Sequence, residues 1–187
     1  MKGVIFNSVA EAVTELGGEE LWDDLLDKAG LSGSYTSLGS YDDAELISLV
    51  VVAAEALGKT VDETTEFIGE QVFPHLSGRH ESLIEEYDSA VPLLCALNDV
   101  IHPEVLKLYP DASVPDFTTL EREDNRLKLL YRSQRQLPAL AAGLIRGAAN
   151  LYDENVDIDI TPADEDGAYV FDLLFTANKP SEAVMAP

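Results

Sequence analysis

The sequence predicts an α+β fold: a helical N-terminal part packed on a four-stranded antiparallel sheet that carries one inserted helix. Three observations point there. Apolar residues recur at the 3.6-residue period of helices through roughly the first hundred positions, the period switches to two after Pro110, and one further helical pattern opens at Pro138 between two strand pairs.

Taken in order, Ile5, Val9, Ala12, Val13 and Leu16 form one apolar stripe, and Leu46, Leu49, Val50, Ala53 and Leu57 form another. Ser40 with Asp43, and Thr60 with Glu63, each place a side-chain acceptor at a helix start and an acid in the first turn. Gly17-Gly18 and Gly30 supply breaks. A further helical stretch from about Ser89 to Tyr109 contains His102 and Pro103, and Pro103 has no N–H to give to Asp99, so the helix kinks or restarts there. Beyond Pro110, Leu127, Leu129, Tyr131, Ser133 and Arg135 share one parity while Arg126, Lys128, Leu130 and Arg132 share the other, which is a strand. Asp116 to Arg122, joined to it through Asp124-Asn125, is its hairpin partner. Pro138 opens a helix along Leu140, Leu144, Ala148 and Leu151, whose Ala139, Gly143 and Gly147 repeat every fourth residue and let another element approach closely. Asn155 to Thr161 and Tyr169 to Phe175 form a second hairpin around an acidic turn at Asp166-Gly167. Residues 1–187 read as one domain, with a helical part over 1–110, a sheet part over 111–177, and a tail from Asn178 that is expected to fray.

Composition bounds the function. Twelve Lys plus Arg against 35 Asp plus Glu leave a net charge of −23, which disfavours phosphate backbones and anionic lipid as partners. One cysteine, Cys95, allows no internal disulfide and no multi-thiolate metal centre, and reads as a core residue. The longest strictly apolar run, Leu49 to Ala54, falls far short of the roughly 20 residues that span a bilayer. These features point to a soluble cytoplasmic protein with neither nucleic acid nor membrane as partner. There is no Walker loop, kinase signature or nucleophile with its base, so no enzyme activity is expected.

The informative segment is Tyr131-Arg132-Ser133-Gln134-Arg135, where the inward parity passes from leucines to three polar side chains. Alternation puts their donors in one row at about 6 to 7 Å spacing. Two hydroxyls and a guanidinium fork suit carboxylates or phosphate, although pattern alone favours a strand that simply reaches solvent. Tyr-x-Ser-x-Arg about thirty residues after a lone helical His resembles the haem nitric oxide/oxygen binding family, H-NOX, related to the haem domain of soluble guanylate cyclase. The resemblance runs through the whole chain, from Met1-Lys2-Gly3 entering a helix directly, through His102 and Pro115, to Tyr131, Ser133, Arg135 and the Pro138 helix.

The resemblance implies haem b, held without covalent attachment because no Cys-x-x-Cys-His is present, with His102 as the axial iron ligand and Tyr131, Ser133 and Arg135 on the propionates. It places Ile5 and Pro115 against the porphyrin, and Ile5, Val9, Leu140 and Leu144 on the distal face. Oxygen-binding members are similar to one another in a distal tyrosine; here that position is Leu140, with Val9 and Pro74 at the supporting positions. A pocket without a donor disfavours a polar oxygen complex, so the resemblance implies a five-coordinate sensor of nitric oxide and carbon monoxide that excludes oxygen. The expected partner is a histidine kinase or a cyclic-di-GMP enzyme, or less readily a guanylate cyclase. Two alternatives stay open: an oxygen carrier, against which Leu140 argues, and a haem-free interaction scaffold. A C-terminal cysteine cluster found in some relatives is missing.

Overall fold

The computed structural model describes residues 1–178 and has the α+β architecture expected, with helices gathered before a four-stranded antiparallel sheet. The helical part contains α1 (Gly3–Gly17), α2 (Glu19–Ala29), α3 (Asp43–Leu57), α4 (Val61–Gly78), the short α5 (Glu81–Ile84), α6 (Ala90–Cys95) and α7 (His102–Leu108). The sheet is built from β1 (Asp116–Arg122), β2 (Arg126–Arg132), β3 (Glu154–Pro162) and β4 (Ala168–Ala177), and α8 (Pro138–Leu151) lies between the two hairpins in sequence. Strand order is β1-β2-β4-β3, which leaves β1 and β3 at the edges. The tail expected to fray lies outside the described residues apart from Asn178, whose amide donates to the Asp153 carbonyl at 2.8 Å.

Local signals set most boundaries. At α4, Thr60 Oγ1 accepts from the Glu63 amide at 3.2 Å while Glu63 returns a carboxylate to the Thr60 amide at 2.9 Å, a reciprocal cap contributing about 1 kcal/mol. At α3 the expectation of Ser40 is corrected: Asp42 is the cap, accepting from the Ala44 amide at 2.9 Å. Gly30 ends α2 in the left-handed region at φ 69°.

Between α6 and α7 the single helix expected over Ser89 to Tyr109 is broken. Leu97–Ile101 winds as a π-helical turn, with Ile101 N–H donating to Ala96 O at 3.1 Å and His102 N–H reaching back to Leu97 O. Pro103 then falls in the first turn of α7, where no helix donor is needed. The chain therefore restarts at His102 instead of kinking through it.

The core is divided by α8. Its Ala141, Ala142, Ile145 and Ala149 join Leu127, Leu129, Phe171 and Leu173 of the sheet, while Leu140 and Leu144 pack against Phe6, Val9, Leu46, Leu49 and Val72 of the helices. This is why α8 is apolar nearly all round. The close approach expected at its small residues is made by α4: a Cβ on Gly143 would lie 2.0 Å from Glu66 O, and one on Gly147 would lie 2.9 Å from Glu70 O, the carbonyl that Pro74 leaves without a helix donor. Arg146 fixes the same seam by pairing with Glu66 and donating to Val156 O at 2.8 Å.

Candidate functional site

His102 is the first residue of α7 and is half-buried, with its Nδ1 shielded from solvent and without a hydrogen-bond partner. Burial pushes the imidazole down to about 4, only partly opposed by the charge of Asp116 and the backbone at Pro115. A neutral imidazole with an uncommitted nitrogen is the state in which histidine ligates a metal. Its ring centroid stands 6.3 Å from that of Phe117 on β1, and Phe117 in turn lies 5.2 Å from Tyr131 on β2.

Tyr131 is 3% exposed and faces its antiparallel partners Phe117 and Tyr169 across the sheet. Burial raises its phenol, while Ser133, the Leu137 backbone and the Arg135 charge pull the other way. The hydroxyl thus has Ser133 and Arg135 beside it, and the structure brings the three together. It does so without the row of alternating side chains expected from the pattern, because β2 ends at Arg132. Ser133 Oγ accepts from the Arg135 amide at 3.2 Å, the Ser133 carbonyl accepts from the Gln136 amide at 3.2 Å, and Gln136 turns to φ 49°. The clamp is one strand residue followed by a turn.

Arg135 also carries contacts the sequence did not disclose. Its Nε donates to Asp43 Oδ2 at 2.8 Å and its Nη1 to Ser113 O at 2.7 Å. Asp43 Oδ1 meets the Met1 ammonium at 2.7 Å. Burial alone would raise the Asp43 carboxyl, but the ammonium and Arg135 outweigh it and hold it below its ordinary value. Asp43 had read as an ordinary first-turn acid; no local pattern reveals that it joins the chain start, α3 and the Tyr-x-Ser-x-Arg turn.

The remaining expected residues divide between two sides. Pro115 immediately precedes β1 and lies near His102. Leu140 and Leu144 sit in the helical cluster with Val9, and Ile5 is half-buried on α1. Two recesses flank the turn, one of about 410 Å³ reaching Ser113, Asp116, Arg132 and Ser133, the other of about 180 Å³ between Leu46, Val50, Thr65 and Pro138; His102 lines neither. Among the described residues no cluster of three His, Cys, Asp or Glu side chains is placed to hold a bare metal ion, and no helix is long and apolar enough to cross a membrane.

The donors fit haem in kind. One neutral imidazole with an unpartnered Nδ1 suits an iron, and a hydroxyl pair beside a guanidinium suits two carboxylates that leave bulk water.

Comparison with known proteins converges on the same group. A model of the family described as Haem-NO-binding, HNOB, matches residues 2–160. An H-NOX protein from S. oneidensis, solved in the Fe(II)NO ligation state, is 30% identical over 94% of this chain and 99% of its own, with a TM-score of 0.85. The Fe(II)CO form of the H-NOX domain from Shewanella oneidensis is similar at 30% identity, 94% and 99% coverage and TM-score 0.82. The unliganded Fe(II) H-NOX protein from K. algicida is 26% identical, covering 97% and 100%, at TM-score 0.82. No curated protein sequence matches significantly.

Proposed function

The chain belongs to the Haem-NO-binding family of haem-based gas sensors, and from that premise we propose that it takes nitric oxide and carbon monoxide at a haem b held by His102, excludes oxygen, and passes its state to a partner protein. The half-buried imidazole of His102, kept neutral beside Phe117 and Pro115 with its Nδ1 shielded and unpartnered, carries this reading. When bound, haem would supply a ferrous iron able to take a diatomic gas.

The residues of the chain divide the remaining work. His102 offers the proximal nitrogen. Tyr131, Ser133 and Arg135 would donate to the propionates, with Arg135 oriented by Asp43 and by the Ser113 carbonyl. Lys at position 135 would lose the fork that lets one side chain serve Asp43, Ser113 and a carboxylate together. Ile5 on α1 and Pro115 just before β1 would be the residues that contact the ring. Leu140 and Leu144, packed with Val9, present no side-chain donor to a polar ligand, and Pro74 supplies none. That deficit disfavours oxygen, whose complex needs such a donor, more than nitric oxide or carbon monoxide. The Arg135 to Asp43 to Met1 chain of contacts is the route by which displacement at the site reaches α1 and α3. The protein acts as a regulator without catalysis of its own, as one domain over residues 1–187 in the cytoplasm, and its partner is a histidine kinase or cyclic-di-GMP enzyme in preference to a cyclase.

Absorption spectra of the anaerobic ferrous protein test this directly. The bands should be unchanged in air and should shift with nitric oxide and with carbon monoxide in separate cuvettes. A stable change in air would replace the sensor with an oxygen carrier, and absence of haem after expression with adequate iron would leave a scaffold. Leu140→Tyr should confer an air-dependent spectrum; an unaltered one would sink the assignment of Leu140 to the distal face.

A further inference from the structure

β1 is an edge strand, and at Phe117 its open edge is closed by a side chain. Phe117 N–H donates to Asn98 Oδ1 at 2.9 Å, and Asn98 Nδ2 donates to Phe117 O at 3.1 Å and to Asp116 Oδ2 at 2.8 Å. A carboxamide carries the same donor and acceptor as a peptide unit, so Asn98 pairs with Phe117 as one residue of a neighbouring strand would. Asn98 lies in the π-helical turn Leu97–Ile101, and the residue that follows that turn is His102. The strand residue it grips is the one whose ring stands between those of His102 and Tyr131.

We propose that Asn98 is a positioning residue: its carboxamide docks the π-turn on the edge of β1, so that the His102 nitrogen and the Tyr131 hydroxyl are held in one fixed relation through Phe117. The proposal rests on His102 being the iron ligand. Neither Val100 nor Asp99 of the same turn can substitute, since both point to solvent. Helix hydrogen bonding cannot substitute either: Pro103 gives none, and the π-turn gathers the Val100 and Ile101 amides on the single Ala96 carbonyl, at 2.9 and 3.1 Å. The turn is therefore weakly fixed by its own backbone; Leu97 and Ile101 seat it on apolar neighbours without direction, and Asn98 supplies its directional bonds to β1.

The test uses the full chain loaded with haem and compares wild type with Asn98→Ala and Asn98→Asp. Two readouts are taken: amide hydrogen exchange at Phe117, and the iron to histidine stretching band of the ferrous protein. In Asn98→Ala, Phe117 exchange should rise about tenfold or more, and the stretching band should shift or broaden. Asn98→Asp keeps an acceptor for the Phe117 amide but loses both donor bonds and faces Asp116, so its exchange should stay near wild type while the band moves. It also serves if the alanine variant does not fold. Unchanged Phe117 exchange in Asn98→Ala overturns the clamp; faster exchange with an unmoved band shows that the clamp positions nothing, and overturns the proposal equally. A wild-type chain that takes no haem would remove the premise on His102. The clamp itself is then read separately, by Phe117 exchange and by the nuclear Overhauser contact between the His102 and Phe117 rings, which Asn98→Ala must weaken.

Discussion

The two seams that join the helical part to the sheet are built in opposite ways. Along α4 and α8, backbones meet at Gly69, Gly143 and Gly147 with no space for a methyl group, and Arg146 pins the seam to β3. Between the π-turn and β1, contact passes through one carboxamide, the tilted His102–Phe117 ring pair and the Leu97 side chain. Close packing has a single low-energy arrangement, whereas a few directional bonds at an edge can open and reform. The molecule thus has a weld on one side and a latch on the other, and the candidate ligand histidine is on the latch.

Three substitutions or conditions would break or sharpen that contrast. The largest effect is expected at the weld. Gly143→Ala places a Cβ 2.0 Å from the Glu66 carbonyl and should cost about 3 kcal/mol or more, read as a large fall in thermal midpoint. If the variant were instead more stable, from the better helix propensity of alanine, the seam would not be a weld. Next comes the latch side in acid. The His102 pKa falls from 6.5 in the unfolded chain to about 4 in the folded one, so between these values the unfolded state binds the extra proton. Stability of the haem-free chain should therefore be intact above pH 6.5 and decline as pH falls towards 4, by up to about 3 kcal/mol. His102→Gln should remove that part of the pH dependence in denaturant titrations; an unchanged slope would mean that His102 is not buried neutral. The smallest effect is at the start of α4, where Thr60→Ala should cost about 1 kcal/mol and leave the spectra of the loaded protein unmoved.

Much of the fold was legible because period and punctuation agree: the Thr60 and Glu63 pair, Gly30, the Asp124-Asn125 hairpin and the small residues of α8 all stand where local chemistry puts them. What escaped has physical causes. A π-turn of five residues is too short for its period to be told from that of an α-helix, so the break before His102 was visible only as a proline lacking a donor. The alternation of Tyr131, Ser133 and Arg135 suggested a longer strand, but the ladders to β1 and β4 both stop at Arg132, and beyond them the Ser133 hydroxyl offers the backbone a turn. Asn98 gave no local signal and Asp43 only that of a first-turn acid, since each acts on residues distant in sequence.

The strand order has a consequence for how the chain is made. β2 finds its first neighbour, β1, within a few residues, but its second, β4, is the last of these four strands to leave the ribosome, after α8 and β3. Until Ala168–Ala177 has emerged, Leu127 and Leu129 lack Phe171 and Leu173, and the middle of the sheet stands open with β3 unpaired. The latest of these four strands is thus a central one, and a chain cut short before it loses the heart of the sheet instead of trimming its margin.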